Sequence, residues 1–248
     1  LRGVPDRLYP SELLAGLDTR WLAREIEHLE ETDSTNRVAG ERANEGAAHG
    51  YTVVAEAQTA GRGRLGRSFF SPPHENLYTS IVLRPHIDLA SAPTLIPTAA
   101  IGVADAIAAE LGGPSEVSIK WPNDVQVAGR KASGILMELQ AEATRIGHAI
   151  LGIGVNLNVD RERFPEEFRA LATSLRSHTG RRIDRVRFAQ RLYSILERLL
   201  DEHAHGGFGP LRPRYEAYFG MAGRRVGIVD AQGGANATTT RGTVLGID

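Results

Sequence analysis

The 248-residue sequence contains no cysteine. A disulfide framework, a cysteine-held metal and a thiol nucleophile are therefore excluded. Charge of one sign is not in excess either, with 29 Lys and Arg against 30 Asp and Glu. That balance argues against a dedicated nucleic-acid-binding domain. No run of about 18 consecutive apolar residues occurs, and no basic segment followed by an apolar one opens the chain. The expectation is a soluble, cytoplasmic protein with neither nucleic acid nor membrane as partner. Internal repeats and low-complexity segments are also lacking. What is present is a 42% hydrophobic fraction, enough for one sizeable core.

The segments alternate between helical and strand character. Residues 11–30 read as a helix with Ser11 as N-cap, and "TDSTNRVAGERANEG" reads as a second, short helix ending at Gly46. Strands are predicted at 51–58, 76–85, 116–124 and 144–159, and a hairpin over 125–139 turns near Ala128–Arg130. An Ala-rich helix is predicted over 92–113, and the apolar spacing at 188, 192, 195, 196, 199 and 200 predicts a helix over 186–207. After Pro210 the sequence reads as short β-type runs separated by glycine, the front part of a small barrel. The fold class is α+β. A mixed sheet with flanking helices occupies residues 1–208, and a small, incomplete β domain occupies 209–248.

Four segments can carry chemistry. "GRGRLGR", Gly61–Arg67, packs three glycines and three arginines between two strands. Glycines let backbone N–H groups approach an anion, and guanidiniums supply planar charged donors, so this is a phosphate-type cradle. "SIKWPND" places Lys120 at a strand end beside a proline turn. Asn123 and Asp124 follow it, either as turn formers or as polar and magnesium contacts. "TDSTN" is an N-cap cluster or a set of donors and acceptors for a small neutral polar ligand. "GIGVNLN" contains two glycines that allow either close packing or a planar ring against the backbone, with Asn156 reading its edge.

Taken together and in this order, "DSTN", "Q-x-x-GRGRxGR" from Gln58, "KWPND", "RKxxGIL" and "GxGxNxN" resemble the biotin protein ligases over roughly residues 30–160. The resemblance implies a class II synthetase-like catalytic fold with an SH3-like C-terminal domain. It also implies a two-step reaction: biotin and Mg-ATP give biotinyl-5′-AMP, and the biotinyl group passes to one lysine of the biotin carboxyl carrier domain of a carboxylase. It implies biotin and ATP as substrates, with Mg2+. By position, Ser34, Thr35 and Asn36 fall at the ureido ring, and Gln58, Arg62, Gly63 and Arg64 continue that site. Arg62 and Lys120 fall at the carboxylate and α-phosphate as the catalytic pair. Arg64, Arg67, Phe69, Asn123 and Asn156 fall at the adenylate, and Asp124 at a metal. The chain departs from the family at Phe69, where many members have Trp, and at Leu65, where some have Arg. About 30 residues precede "DSTN", so the resemblance is to the type without an N-terminal DNA-binding domain, although the sequence opens on Leu1 rather than Met. Rival readings are a lipoate-type ligase, a biotin-responsive DNA-binding regulator and a silent biotin-binding module. The oligomeric state is left open.

Overall fold

The structure is a computed structural model and describes residues 6–142, 145–229 and 239–247. Seven strands form one sheet in the order β1-β2-β3-β7-β6-β5-β4. They are β1 (Ile26–Leu29), β2 (Thr52–Ala55), β3 (Leu77–Leu83), β4 (Val117–Lys120), β5 (Asp124–Val127), β6 (Arg130–Glu142) and β7 (Arg145–Val155). β1 and β2 run parallel, and every other pair is antiparallel. The sheet is thus mixed, as the α+β reading expects.

The helices are α1 (Pro10–Ala15), α2 (Thr35–Asn44), α3 (Leu95–Leu111), α4 (Glu166–Arg169), α5 (Leu175–Thr179), α6 (Arg185–Gly206) and α7 (Arg212–Tyr218). By length and composition, Ala92–Leu111 could cross a bilayer, with a mean hydropathy of 1.4. Here it is the core helix instead. Its alanines let α6 approach closely, and Leu196 and Leu199 of α6 sit against Gly102, where a Cβ would lie 2.7 Å from Leu196. α3 ends on Gly112 at φ 81, a left-handed cap that glycine adopts without strain.

The predicted helix over 11–30 does not form. Only Pro10–Ala15 is helical, its N-cap is Tyr9 rather than Ser11, and residues 26–29 are the edge strand β1. The chain breaks between them at Ala23, φ 56, a left-handed conformation that no helix continues through. The break is held from far away. Glu197 of α6 accepts the N–H groups of Arg20, Trp21 and Leu22 at 2.8–2.9 Å. The segment after Pro210 also differs from expectation. It begins with α7, whose Tyr215 joins the main core, and only then forms the antiparallel pair β8 (Arg225–Val229) and β9 (Thr239–Thr243). This small two-stranded sheet is consistent with an SH3-like domain.

A charged cluster around a fully buried ion pair ties the sheet to α6. Arg185 donates to Glu56 at 2.7 Å and to Asp6 at 3.1 Å, and Glu56 also accepts the Leu8 N–H at 2.9 Å. His28 and His74 flank Glu56 at 3.4 and 3.2 Å. Glu56 and Arg185 are 0% exposed. Burial alone would raise the Glu56 pKa, but the Arg185 hydrogen bond and charge overcome it and hold the carboxyl at about 2. Glu56 lies two residues before Gln58, so the cluster anchors the strand end that carries the site.

Candidate active site

A cavity of about 660 Å³ opens over β5, β6 and β7. Every residue singled out from the sequence lines it: Ser34, Thr35, Asn36, Gln58, Arg62, Gly63, Arg64, Arg67, Phe69, Lys120, Asn123, Asp124 and Asn156. Four motifs spread over some 120 residues of chain thus meet on one sheet face.

One end of the cavity is polar and buried. Ser34 occupies the N-cap position of α2, yet its side chain makes no capping bond. Ser34 therefore does not cap the helix, and the carboxylate of Asp33 accepts the Ser34 N–H at 2.7 Å instead. Gln58 Oε1 accepts from the Thr35 N–H at 2.9 Å, and Gln58 Nε2 donates to Ser71 at 3.0 Å. The Ser80 hydroxyl lies 2.8 Å from Thr35 Oγ1 and 2.6 Å from Asn36 Oδ1. Buried donors and acceptors held in fixed directions suit a neutral ligand with its own donors and acceptors.

The other end is cationic. Arg62, Arg64, Arg67, Lys120 and Lys131 line the cavity against one carboxylate, Asp124. Arg64, Arg67 and Lys120 have no carboxylate partner among the described residues. The Arg/Gly loop is a tight backbone loop. Gly63 N–H donates to Arg67 at 2.7 Å and Phe69 N–H to Gly61 at 2.8 Å, with Leu65 and Gly66 at φ 56 and 72. Gly61 is required by space, since a Cβ there would lie 2.6 Å from the Phe69 carbonyl. This closes the chain on itself and turns the arginines outward.

The floor is a glycine strip. Gly134 and Gly154 are cross-strand partners, and Gly152 lies two residues along. A planar ring does lie on this backbone, but it belongs to Phe69. A Cβ on Gly154 would come within 2.6 Å of that ring. Lys131 Nζ sits 5.9 Å from the ring centre. Asn156 commits its amide to Asn76 at 3.4 Å and Thr173 at 3.2 Å, so it braces the wall. Asn123 donates to the Ile135 carbonyl at 2.8 Å and ties the turn containing the cis Trp121–Pro122 bond to β6.

Gly154→Ala is expected to drive Phe69 off the floor and to cost about 1–3 kcal/mol. Chemical denaturation checks this. An unchanged midpoint would mean that the ring moves aside freely.

Two residues escaped the sequence reading. Lys131 belongs to "RKxxGIL", and its place on a hairpin strand three residues before Gly134 of that motif gave the available signal. It lies 2.7 Å from Asp124. Glu138 accepts from Asn36 and Arg62 at the back of the cavity, and nothing in its strand pattern marks it. No three His, Cys, Asp or Glu side chains gather around a cation position among the described residues. One carboxylate already paired to a lysine is not a protein-built cage. It does fit magnesium carried in by a nucleotide, which keeps its phosphate oxygens and waters.

The profile of the biotin/lipoate A/B protein ligase family matches residues 29–156. The bifunctional ligase/repressor BirA of Bacillus subtilis (strain 168) is 36% identical over 244 residues, covering 98% of this chain and 73% of that protein. The biotin–[acetyl-CoA-carboxylase] ligase of Paracoccus denitrificans is 33% identical over 210 residues, 83% of this chain and 87% of that one. Among solved structures, the biotin protein ligase from Aquifex aeolicus in complex with biotin and ATP superposes with a TM-score of 0.75 at 29% identity, covering 91% of this chain and 88% of that one.

Proposed function

The chain belongs to the biotin/lipoate A/B protein ligase family, and from that membership we propose how its cavity works as a biotin–[acetyl-CoA-carboxylase] ligase. Biotin and ATP are the substrates. A biotin carboxylate oxygen attacks the α-phosphorus of ATP, a bond to that phosphorus forms, and pyrophosphate leaves. The amine of one carrier lysine then attacks the acyl carbon of biotinyl-5′-AMP, loses a proton, and AMP leaves. Magnesium arrives as part of Mg·ATP, with Asp124 as the protein oxygen that would reach it.

The observation that carries the reading is the joining of a buried neutral polar end to a cationic end within one cavity. Ser34, Thr35, Asn36 and Gln58 face the ureido ring, which has both donors and acceptors. A lipoyl dithiolane ring has neither, and would gain nothing from the hydrogen-bonding capacity that these groups still have free. Gly63 and Arg64 extend the biotin site along the loop. Arg62 and Lys120 bring together two anions that otherwise repel, and stabilise charge as the phosphoryl group transfers. Lys131 adds a third cation at that point. Arg64 and Arg67 cover the adenylate, Phe69 meets it from the glycine floor, and Asn123 and Asn156 shape its wall. Residues 1–208 make the catalytic unit and 209–248 a C-terminal β unit, with α7 docked on α3 through Tyr218 and Arg214 to Asp105 at 2.9 and 2.6 Å. The partner is a biotin carboxyl carrier domain, and the enzyme works beside it in the cytoplasm.

Incubation with ATP, biotin and a biotin carrier domain should raise the carrier mass by biotin less water. Lipoate in place of biotin should give no gain. A gain with lipoate alone would overturn the reading.

A further inference from the structure

Glu138 stands behind the cavity wall and touches two residues that form it. Its Oε2 accepts from Asn36 Nδ2 at 2.7 Å, and its Oε1 accepts from Arg62 Nη1 at 3.3 Å. These partners come from different motifs, 102 and 76 residues away. The ion pair with Arg62 is half-exposed on both sides, 47% and 44%. Such pairs add little to fold stability. Only one guanidinium nitrogen is engaged with a side chain among the described residues, and Arg62 lines the cavity.

The bond to Asn36 decides something else. An asparagine amide presents a donor end and an acceptor end. Ser80 lies 2.6 Å from Oδ1, and a Cβ on Gly152 would fall 2.0 Å from that oxygen. A carboxylate only accepts, so Glu138 fixes Nδ2 on its own side and Oδ1 on the Ser80 side. Glu138 thereby joins Arg62 to a continuous polar chain running Gln58, Thr35, Ser80, Asn36.

We propose that Glu138 is a positioning residue that serves both substrates' ends of the site at once. It orients the Asn36 amide for the neutral ring and holds one edge of Arg62 for the anions. This rests on the ligase reading above. The two effects are separable, because they pass through different partners.

The test is a pair of double-substitution cycles on the full chain, with labelled biotin binding and single-turnover adenylate formation as readouts. Glu138→Ala alone is expected to weaken biotin binding and to slow adenylation by about ten-fold each. Placed on Asn36→Ala, it should add nothing further to the loss of biotin affinity. Placed on Arg62→Ala, it should add nothing further to the loss of rate. Full additivity in either cycle overturns the proposal, since a residue that merely props the fold would act independently of both partners. If Glu138→Ala does not fold, Glu138→Gln keeps the volume, loses the charge, and enters the same cycles. Wild-type protein that binds biotin but makes no adenylate would overturn the ligase reading itself, whereas an active wild type with additive variants removes only the role of Glu138.

Discussion

Replacing Arg62 or Lys120 by alanine is expected to slow adenylate formation by roughly ten- to a hundred-fold each, with a much smaller loss in biotin binding. Both side chains are in the cationic half of the cavity, and in the proposed function the neutral ring is met elsewhere, by Thr35, Asn36 and Gln58. Lys120 ends β4 with its ammonium unpaired among the described residues, ready to take an oxygen that becomes more negative as the phosphoryl group moves. Arg62 has a single long contact, 3.3 Å to Glu138, and keeps its other donors. Their contribution should therefore grow from ground state to transition state, which is the condition for altering the rate rather than the affinity. Single-turnover kinetics with saturating biotin reads this directly. An unchanged rate in either variant would remove that residue from the catalytic pair.

Arg185→Met is expected to destabilise the protein by about 3–5 kcal/mol, because it takes the guanidinium from the buried Glu56 carboxylate and leaves it only the Leu8 N–H and the two flanking histidines. For a chain of this size that is a fall of roughly 6–20 °C in Tm. The pH dependence has a definite sign. Glu56 has its folded pKa depressed to about 2 from an ordinary 4.5. The wild type therefore gains stability from it above pH 4.5 and loses that part as pH falls from 4.5 toward 2. In Arg185→Met, burial is no longer offset by the guanidinium, so the Glu56 pKa rises and acid should narrow the gap between variant and wild type. A second change, Glu56→Gln, should recover much of the loss at neutral pH. Thermal melts of the three proteins between pH 3 and pH 7 test this, and a pH-independent gap would show that Arg185 acts through packing alone.

The cavity was legible in the sequence because its parts are local in sequence. Each motif is a run of residues on one turn or strand end, and Ala128–Gly129, with both φ positive at 47 and 75, is a hairpin turn signalled by its own glycine. What escaped depends on partners far along the chain. "SELLAGLDTRWLAREIEHLE" has helical composition throughout, yet Glu197 holds its middle as a turn and β2 takes its end as strand β1. Tertiary pairing overrides propensity there. Glu138 escaped for the same reason. On β6 it reads as an ordinary outward-facing acid, and only the folded chain brings Asn36 and Arg62 to it. Arg185 reads as one of many arginines in "RRIDRVRFAQR", and its burial follows only once Asp6 and Glu56 are placed around it.

Gly152 and Gly154 occupy the same face of β7, two residues apart, which is about 6.7 Å of strand. Neighbouring residues in a strand point to opposite faces, so one residue inserted between them would turn one glycine away and bring a side chain onto the floor. The pairing of β7 with β3 is regular from Leu77–Val155 to Leu83–Ala149, and this leaves no slack to absorb such an insertion. At the far end of the β6–β7 pair the register already shifts, between Gln140 and Ala141. Changes in chain length there can be taken up before they reach the glycines. Insertions and deletions among relatives should accordingly gather beyond Gln140 and be missing from 149–155, so that the outer part of the hairpin is free to vary in length while the cavity floor stays fixed in phase.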